Sequence, residues 1–199
     1  MCLLLETIKI VDGKPQNLDF HQKRFENARK SMFGLKNFDL LSEIIKVPEF
    51  AQNGLFRCRL LYKEKIEKIE FLPYNFRQIK TLRLVESNGI DYSYKFADRS
   101  ELENLFARKG DCDDIIIVKN GLITDSFAAN LVFYDGQKWW TPDSPLLKGT
   151  KREKFLAEKT ISACKIELSD LQKYSKVGLI NAMIDLDTMP VIPIQNIYS

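Results

Sequence analysis

The chain has 199 residues, of which 45% are hydrophobic and 29% charged, and a net charge of +3. That is the composition of an ordinary globular protein, long enough for one large domain or two small ones. The charge is too small, and its signs too interleaved, to argue for a nucleic-acid partner. No apolar run reaches the ~18 residues a transmembrane helix needs, and the apolar start is too short for a secretory leader. His21 is the only histidine, which counts against a Ser-His-Asp triad and a histidine-rich metal site. Cys2, Cys58, Cys112 and Cys164 form no CxxC pair, so the expectation is no metal and reduced thiols serving mainly as packing residues. The protein is expected to be soluble and cytoplasmic, with no membrane partner.

Leu3 to Val11 reads as a strand, closed by an Asp12-Gly13-Lys14-Pro15 turn. Asp19 to Met32 has helical spacing, with Asp19 as the expected N-cap. A second helix is predicted over Leu40 to Lys46. Gly54 to Tyr62 and Ile66 to Tyr74 read as paired strands, and Pro73-Tyr74-Asn75 breaks the pattern. This predicts a small N-terminal domain over 1–75 and a second domain over 76–199. In the second, Lys80 to Glu86 is strand-like, and Ser100 to Arg108 suits a helix with a Ser100/Glu103 capping box. Asn120-Gly121 and Asp135-Gly136 are hairpin signals between apolar runs. Lys151 to Cys164 reads as a helix, and Lys176 to Met183 and Met189 to Ile194 as buried strands. Helices and hairpins mix without a βαβ rhythm, which predicts an α+β fold with antiparallel sheets.

Four segments carry chemistry. Asp125 to Phe133 holds an acid, small residues and Asn130. Trp140-Thr141-Pro142 and Leu147-Lys148-Gly149-Thr150-Lys151-Arg152 follow. A helix that starts at such a glycine presents free N–H groups and a dipole that favours an anion. In the second segment, Tyr94 and Phe96 flank Lys95, and partial desolvation would free its amine for nucleophilic work. The third segment is His21-Gln22-Lys23-Arg24, and the fourth is Asn181-Ala182-Met183 ahead of Met189-Pro190-Val191. Taken singly, Lys95 also suits a surface lysine and the Gly-Thr step a solvated helix start.

Together and in this order, the four segments resemble the class IV, fold-type IV enzymes that use pyridoxal 5′-phosphate (PLP). That family contains branched-chain and D-amino-acid aminotransferases and 4-amino-4-deoxychorismate lyase. The resemblance runs from Glu6-Thr7-Ile8-Lys9 to Pro193 and is most specific from Asp125 to Arg152. It implies two domains, a small N-terminal α/β sandwich and a C-terminal pseudo-barrel, and a homodimer. It implies that Lys95 holds the cofactor covalently and shuttles the proton. Arg24 and the backbone of Gly149, Thr150 and Lys151 would bind the cofactor phosphate. Asp125 stands where the family has Glu, facing the pyridine nitrogen. It is one methylene shorter, so the strand must approach or a water must intervene.

Asn181-Ala182-Met183 and Ala128-Ala129-Asn130 resemble the lyase more than the branched-chain aminotransferases. Thr7 matches a threonine near the lyase reaction centre, where its hydroxyl would meet the leaving enolpyruvyl group; an ordinary β-branched strand residue is the alternative. Arg57 and Arg59, two apart on one strand face, are candidates for the substrate carboxylates, as are Asn181 and Ala182 for substrate contact. A surface salt-bridge ladder is the other reading of the arginines. The activity so implied is release of pyruvate from aminodeoxychorismate to form 4-aminobenzoate for folate synthesis. The alternatives are a class IV aminotransferase acting on branched-chain or D-amino acids, and a catalytically impaired protein that keeps the fold.

Overall fold

The structure is a computed structural model that describes residues 2–199. The chain divides into two units. The first holds the described residues up to Phe76 together with Tyr94–Asp98, and the second holds Arg77–Ser93 and Arg99–Ser199. The division is thus not a single break near residue 75, because the chain returns to the first unit at the segment carrying Lys95.

The first unit is a four-stranded antiparallel sheet with one long helix. β1 (Leu4–Val11) pairs with the short β2 (Lys14–Pro15), and α1 (Leu18–Phe33) follows. α2 (Leu41–Ile44) is a single turn, shorter than the periodicity suggested. β3 (Leu55–Tyr62) and β4 (Ile66–Pro73) complete the order β2-β1-β3-β4. Side chains alternate across a strand. Leu4, Ile8 and Ile10 of β1 and Cys58, Leu60 and Tyr62 of β3 therefore share one buried face with Phe25 and Ala28 of α1. Phe25 and Tyr62 meet edge to face at 4.7 Å. Each leucine, isoleucine or phenylalanine among them contributes about 1.5–3 kcal/mol on burial. Asn17, in a left-handed conformation, occupies the N-cap position of α1, and Asp19 lies inside the first turn instead.

The second unit begins with β5 (Leu82–Glu86), α3 (Ser100–Phe106) and β6 (Asp114–Lys119). β5 and β6 are parallel. A helix joining two parallel strands is the crossover that the sequence did not suggest, so the sheet is mixed rather than purely antiparallel. Ser100 is the first helical residue of α3, and Arg99 stands at the N-cap. β7 (Leu122–Ser126) returns from β6 through Asn120-Gly121, both at positive φ, as a tight primed turn requires. β8 (Asn130–Tyr134), β9 (Trp139–Pro142), α4 (Thr150–Ala157) and β10 (Ser162–Cys164) follow. α4 stops seven residues short of the expected Cys164, because the chain turns through Lys159 at positive φ and pairs β10 in parallel with β9. β11 (Lys176–Ile180), β12 (Val191–Pro193) and β13 (Ile197–Tyr198) complete a sheet that branches at β8, where β7, β9 and β11 all pair. Ile116, Val118, Leu131, Phe133, Val177 and Ile192 form its core. Among the described residues, no helix is long and apolar enough to cross a membrane.

Candidate active site

In the first unit the chemistry gathers around one strand. Glu6 lies on the helix-covered face of β1, between Leu4 and Ile8, with no solvent exposure. The Arg24 guanidinium meets it two-pronged: Nε donates to Oε1 at 2.8 Å and Nη2 to Oε2 at 2.6 Å. His21, one turn earlier on α1 and also buried, places Nδ1 2.6 Å from Oε2. Burial pushes the Glu6 carboxyl upward, but the Arg24 charge and the bonds from His21 and Arg24 outweigh it and hold it at about 2. Burial lowers His21; Glu6 opposes that, while the charges of Arg24 and Lys95 reinforce it. A neutral His21 against an ionised Glu6 carries its proton on Nδ1.

Lys95 sits on the edge of the same strand. Leu5 N–H donates to the Lys95 carbonyl at 2.9 Å, Ala97 N–H to that of Leu3 at 2.8 Å, and Leu4 bridges to Phe96. Tyr94 and Phe96 pack against the buried core. The Lys95 charge acts on His21. Thr7, half-buried, is paired across the sheet with Arg59, and Lys9 with Arg57, so these four share one face. The two arginines differ. Arg59 lies 3.3 Å from Glu70 of β4, whereas the buried Nε of Arg57 has no protein partner.

In the second unit Asp125 and Asn130 are opposite one another where β7 meets β8. The tight Ser126–Ala129 turn holds them there, with Ser126 N–H donating to the Ala129 carbonyl at 2.9 Å. Asn130 Nδ2 donates to Asp125 Oδ1 at 2.7 Å and to the Leu147 carbonyl at 2.8 Å, while Leu147 N–H donates to Asp125 Oδ2 at 2.9 Å. Burial lifts the Asp125 carboxyl to about 6, against the pull of those bonds and of Arg152. Gly149 precedes α4, and a Cβ there would stand 2.0 Å from Asn130 Oδ1, so the helix start can lie this close only because the residue is glycine. Gly149 also brings no side chain to cap the first-turn amides.

Lys151 and Arg152 are both buried rather than solvated. The Lys151 ammonium pairs with Asp185 and lies over the Phe155 ring, so α4 offers the backbone of Lys151 but not its head. Arg152 turns inward to Thr141 Oγ1 at 3.3 Å and to the Pro142 carbonyl at 2.8 Å. Asn181 holds its own turn by accepting from Met183 N–H at 2.9 Å, and it donates to the Ala128 carbonyl at 3.1 Å; Ala182 lies between, half-buried. Glu6, Asp185 and Glu70 were not singled out from sequence. Glu6 alone left a signal, as a carboxylate in the inward register of an otherwise apolar strand.

The profile of the class IV aminotransferases, "Amino-transferase class IV", matches residues 3–197. An uncharacterised protein of Haemophilus influenzae is 42% identical over 183 residues, spanning 90% of this chain and 97% of its own length. A crystal structure from Haemophilus somnus, provisionally named a 4-amino-4-deoxychorismate lyase, is 39% identical with a TM-score of 0.86, covering 92% of this chain and 97% of that one. A provisionally named amino-acid aminotransferase from Mesorhizobium loti has the same fold, with a TM-score of 0.80 at 18% identity over 97% and 98% of the two chains. The chain belongs to the class IV aminotransferase family. It is an enzyme of that family, α+β in fold, and the family's cofactor, PLP, is its cofactor.

The donor set fits that cofactor. PLP presents an aldehyde, a phosphate and a pyridine nitrogen. The first unit offers the amine of the half-buried Lys95 and a guanidinium held in place at Arg24. The second offers a buried carboxyl at Asp125 and a helix start brought against Asn130 by Gly149.

Proposed function

We propose that this enzyme is a PLP-dependent lyase that converts 4-amino-4-deoxychorismate into 4-aminobenzoate and pyruvate. The observation that carries the reading is the 39% identity, across nearly the whole of both chains, with the Haemophilus somnus protein provisionally given that activity. Lys95 would bind the cofactor through its amine. Arg24 and the amides of Gly149, Thr150 and Lys151 would hold the phosphate, and Asp125 would keep the ring nitrogen protonated. Bound PLP supplies an electron sink for the pair released when a C–H bond beside the amine breaks.

The residues of the chain do the rest. Nζ of Lys95 would take the proton from the amine-bearing carbon of the substrate. The Thr7 hydroxyl donates to the ether oxygen of the leaving enolpyruvyl group as its C–O bond breaks. The departing enolpyruvate takes up a proton and becomes pyruvate, and the remaining ring is aromatic, which drives the reaction. Arg57, with its buried Nε unpartnered, is the better carboxylate ligand, because Arg59 is already engaged by Glu70. Asn181 acts on substrate through the turn that carries Ala182. The working form is a cytoplasmic homodimer.

Purified protein given 4-amino-4-deoxychorismate and PLP is expected to release pyruvate and 4-aminobenzoate in equal amounts, and Lys95→Ala to release neither. Wild-type protein with PLP should show a visible absorbance band that borohydride removes and that Lys95→Ala lacks. Conversion of PLP to the pyridoxamine form by an amino acid, without pyruvate release, would show an aminotransferase instead. Absence of the lysine-dependent band would leave a protein that keeps the fold without the chemistry.

A further inference from the structure

We propose that Glu6 is a positioning residue for the cofactor phosphate: it orients the Arg24 guanidinium, and cofactor affinity depends on it through that arginine. This rests on the reading of Arg24 as a phosphate ligand.

An ionised carboxylate on the core face of a strand is an expensive choice, since a buried ion pair often stabilises no better than packed apolar side chains. Leu4, Ile8 and Ile10, its neighbours on that face, are apolar and fully buried. Stability alone therefore gives little reason for a carboxylate between them. The geometry gives another. Arginine is a long, rotamer-rich side chain, and a planar two-point contact is what fixes both its position and its plane. Glu6 makes that contact through Nε and Nη2. This uses two of the five guanidinium N–H bonds, on one edge of the fork. The Arg24 side chain is 17% exposed, whereas that of Glu6 is fully buried. Glu6 is fixed in turn by its strand and by His21, 2.6 Å from the same Oε2 that meets Arg24 Nη2. The arginine is thus aimed before any ligand arrives, which lowers the ordering penalty of binding.

The test separates phosphate affinity from the rest of cofactor binding. PLP and pyridoxal, which lacks the phosphate, are titrated by absorbance into the wild type and into Glu6→Gln, Arg24→Ala and the double variant. Glu6→Gln is expected to bind PLP about tenfold more weakly, the scale of one charge-assisted contact, while pyridoxal affinity moves by less than about twofold. In the Arg24→Ala background, Glu6→Gln should add nothing further, because its effect passes through the arginine. Glu6→Asp keeps the charge but recedes by one methylene, and is expected to lose about threefold in PLP affinity alone; it decides the matter if Glu6→Gln fails to fold. Equal weakening of PLP and pyridoxal, or an undiminished effect in the Arg24→Ala background, overturns the proposal. If Arg24→Ala weakens PLP selectively and the Glu6 variants do not, this inference fails and the reading of Arg24 stands. If Arg24→Ala leaves the preference for PLP over pyridoxal unchanged, both fail.

Discussion

Glu6 and Asp125 are both nearly excluded from solvent, at 0% and 6% exposure, yet one carboxyl is held at about 2 and the other at about 6. Burial pushes both upward. The difference lies in what answers it. Glu6 faces a guanidinium at hydrogen-bond distance on two oxygens and a histidine on one of them. Asp125 is answered by an amide side chain and backbone N–H groups, dipoles rather than a contacting full charge, while Arg152, whose charge also acts on it, spends its hydrogen bonds on Thr141, Pro142 and Glu153. The first unit therefore holds a committed anion that anchors a cation. The second holds an acid poised near neutrality, suited to a partner that itself gains and loses a proton, as a pyridine nitrogen does.

The sharpest way to break this comparison is to remove the cation from Glu6. Arg24→Ala leaves a buried carboxylate with only His21, and the loss of one partner of a buried pair is expected to cost about 3–5 kcal/mol. Urea unfolding at pH 7 measures it, and a loss under about 1 kcal/mol would mean that Arg24 contributes little to holding Glu6 ionised. Adding Glu6→Gln to Arg24→Ala should recover part of the loss.

The next largest effect is in pH, and its sign differs between the units. Glu6 is lowered from its ordinary 4.5 to about 2, so its stabilising contribution is full above 4.5 and is lost as pH falls towards 2. Asp125 is raised from 3.8 to about 6, so it costs stability above about 6, and the cost fades as pH falls from 6 to 3.8. Each shift corresponds to about 3 kcal/mol at 1.36 kcal/mol per pH unit. Trp139 and Trp140, the only tryptophans, both lie on β9, so their fluorescence follows the second unit. Comparing wild type with Asp125→Asn by fluorescence-monitored urea unfolding isolates the acid. The wild type is expected to gain on the variant between pH 7 and 4, and a constant difference would contradict the raised value. Below pH 4.5 the wild type should lose its advantage over Glu6→Gln in circular dichroism melts.

Gly149→Ala tests the second unit by packing rather than by charge. The added Cβ, 2.0 Å from Asn130 Oδ1, forces Asn130 to turn away from both Asp125 and the Leu147 carbonyl. Overpacking of this kind costs about 1–3 kcal/mol, to be read as a lowered midpoint of the tryptophan signal. An unchanged midpoint would show that the helix start can slide without disturbing the acid.

The same contrast explains what the sequence could reveal. Local signals were readable: alternation in β1 and β3, the Asn120-Gly121 turn, and the ordered segments around Arg24, Lys95 and Gly149 that pointed to the family. Pairings without a turn between them were not. β5 and β6 lie parallel across an intervening helix, and Tyr94–Asp98 returns to β1 some 90 residues along the chain. Neither leaves a periodic mark. The role of Glu6 is not legible because the strand reads as apolar on average, and only its inward register sets it apart. The burial of Lys151 and Arg152 was not legible either, since their partners, Asp185 and the Thr141-Pro142 turn, become neighbours only through the fold.

The smallest expected effect concerns the Thr7 face of the first unit's sheet, where Arg59 and Glu70 are partly exposed and their pairing is weak. Arg59 and Glu70 are 34% and 24% exposed, and such a pair contributes less than about 1 kcal/mol, so Glu70→Gln should barely alter unfolding. Its effect should appear in substrate affinity instead. On the proposed lyase reading, with Glu70 neutral Arg59 joins Arg57 as an available cation beside Thr7, and KM for 4-amino-4-deoxychorismate should fall by about threefold with kcat unchanged, the signature of a contact made equally in ground and transition states. Arg57→Ala should move KM the other way, by about tenfold, the size of a lost charge-assisted contact. If Glu70→Gln lowers kcat while leaving KM alone, Glu70 serves the reacting centre near Thr7, and the two arginines are not its carboxylate ligands.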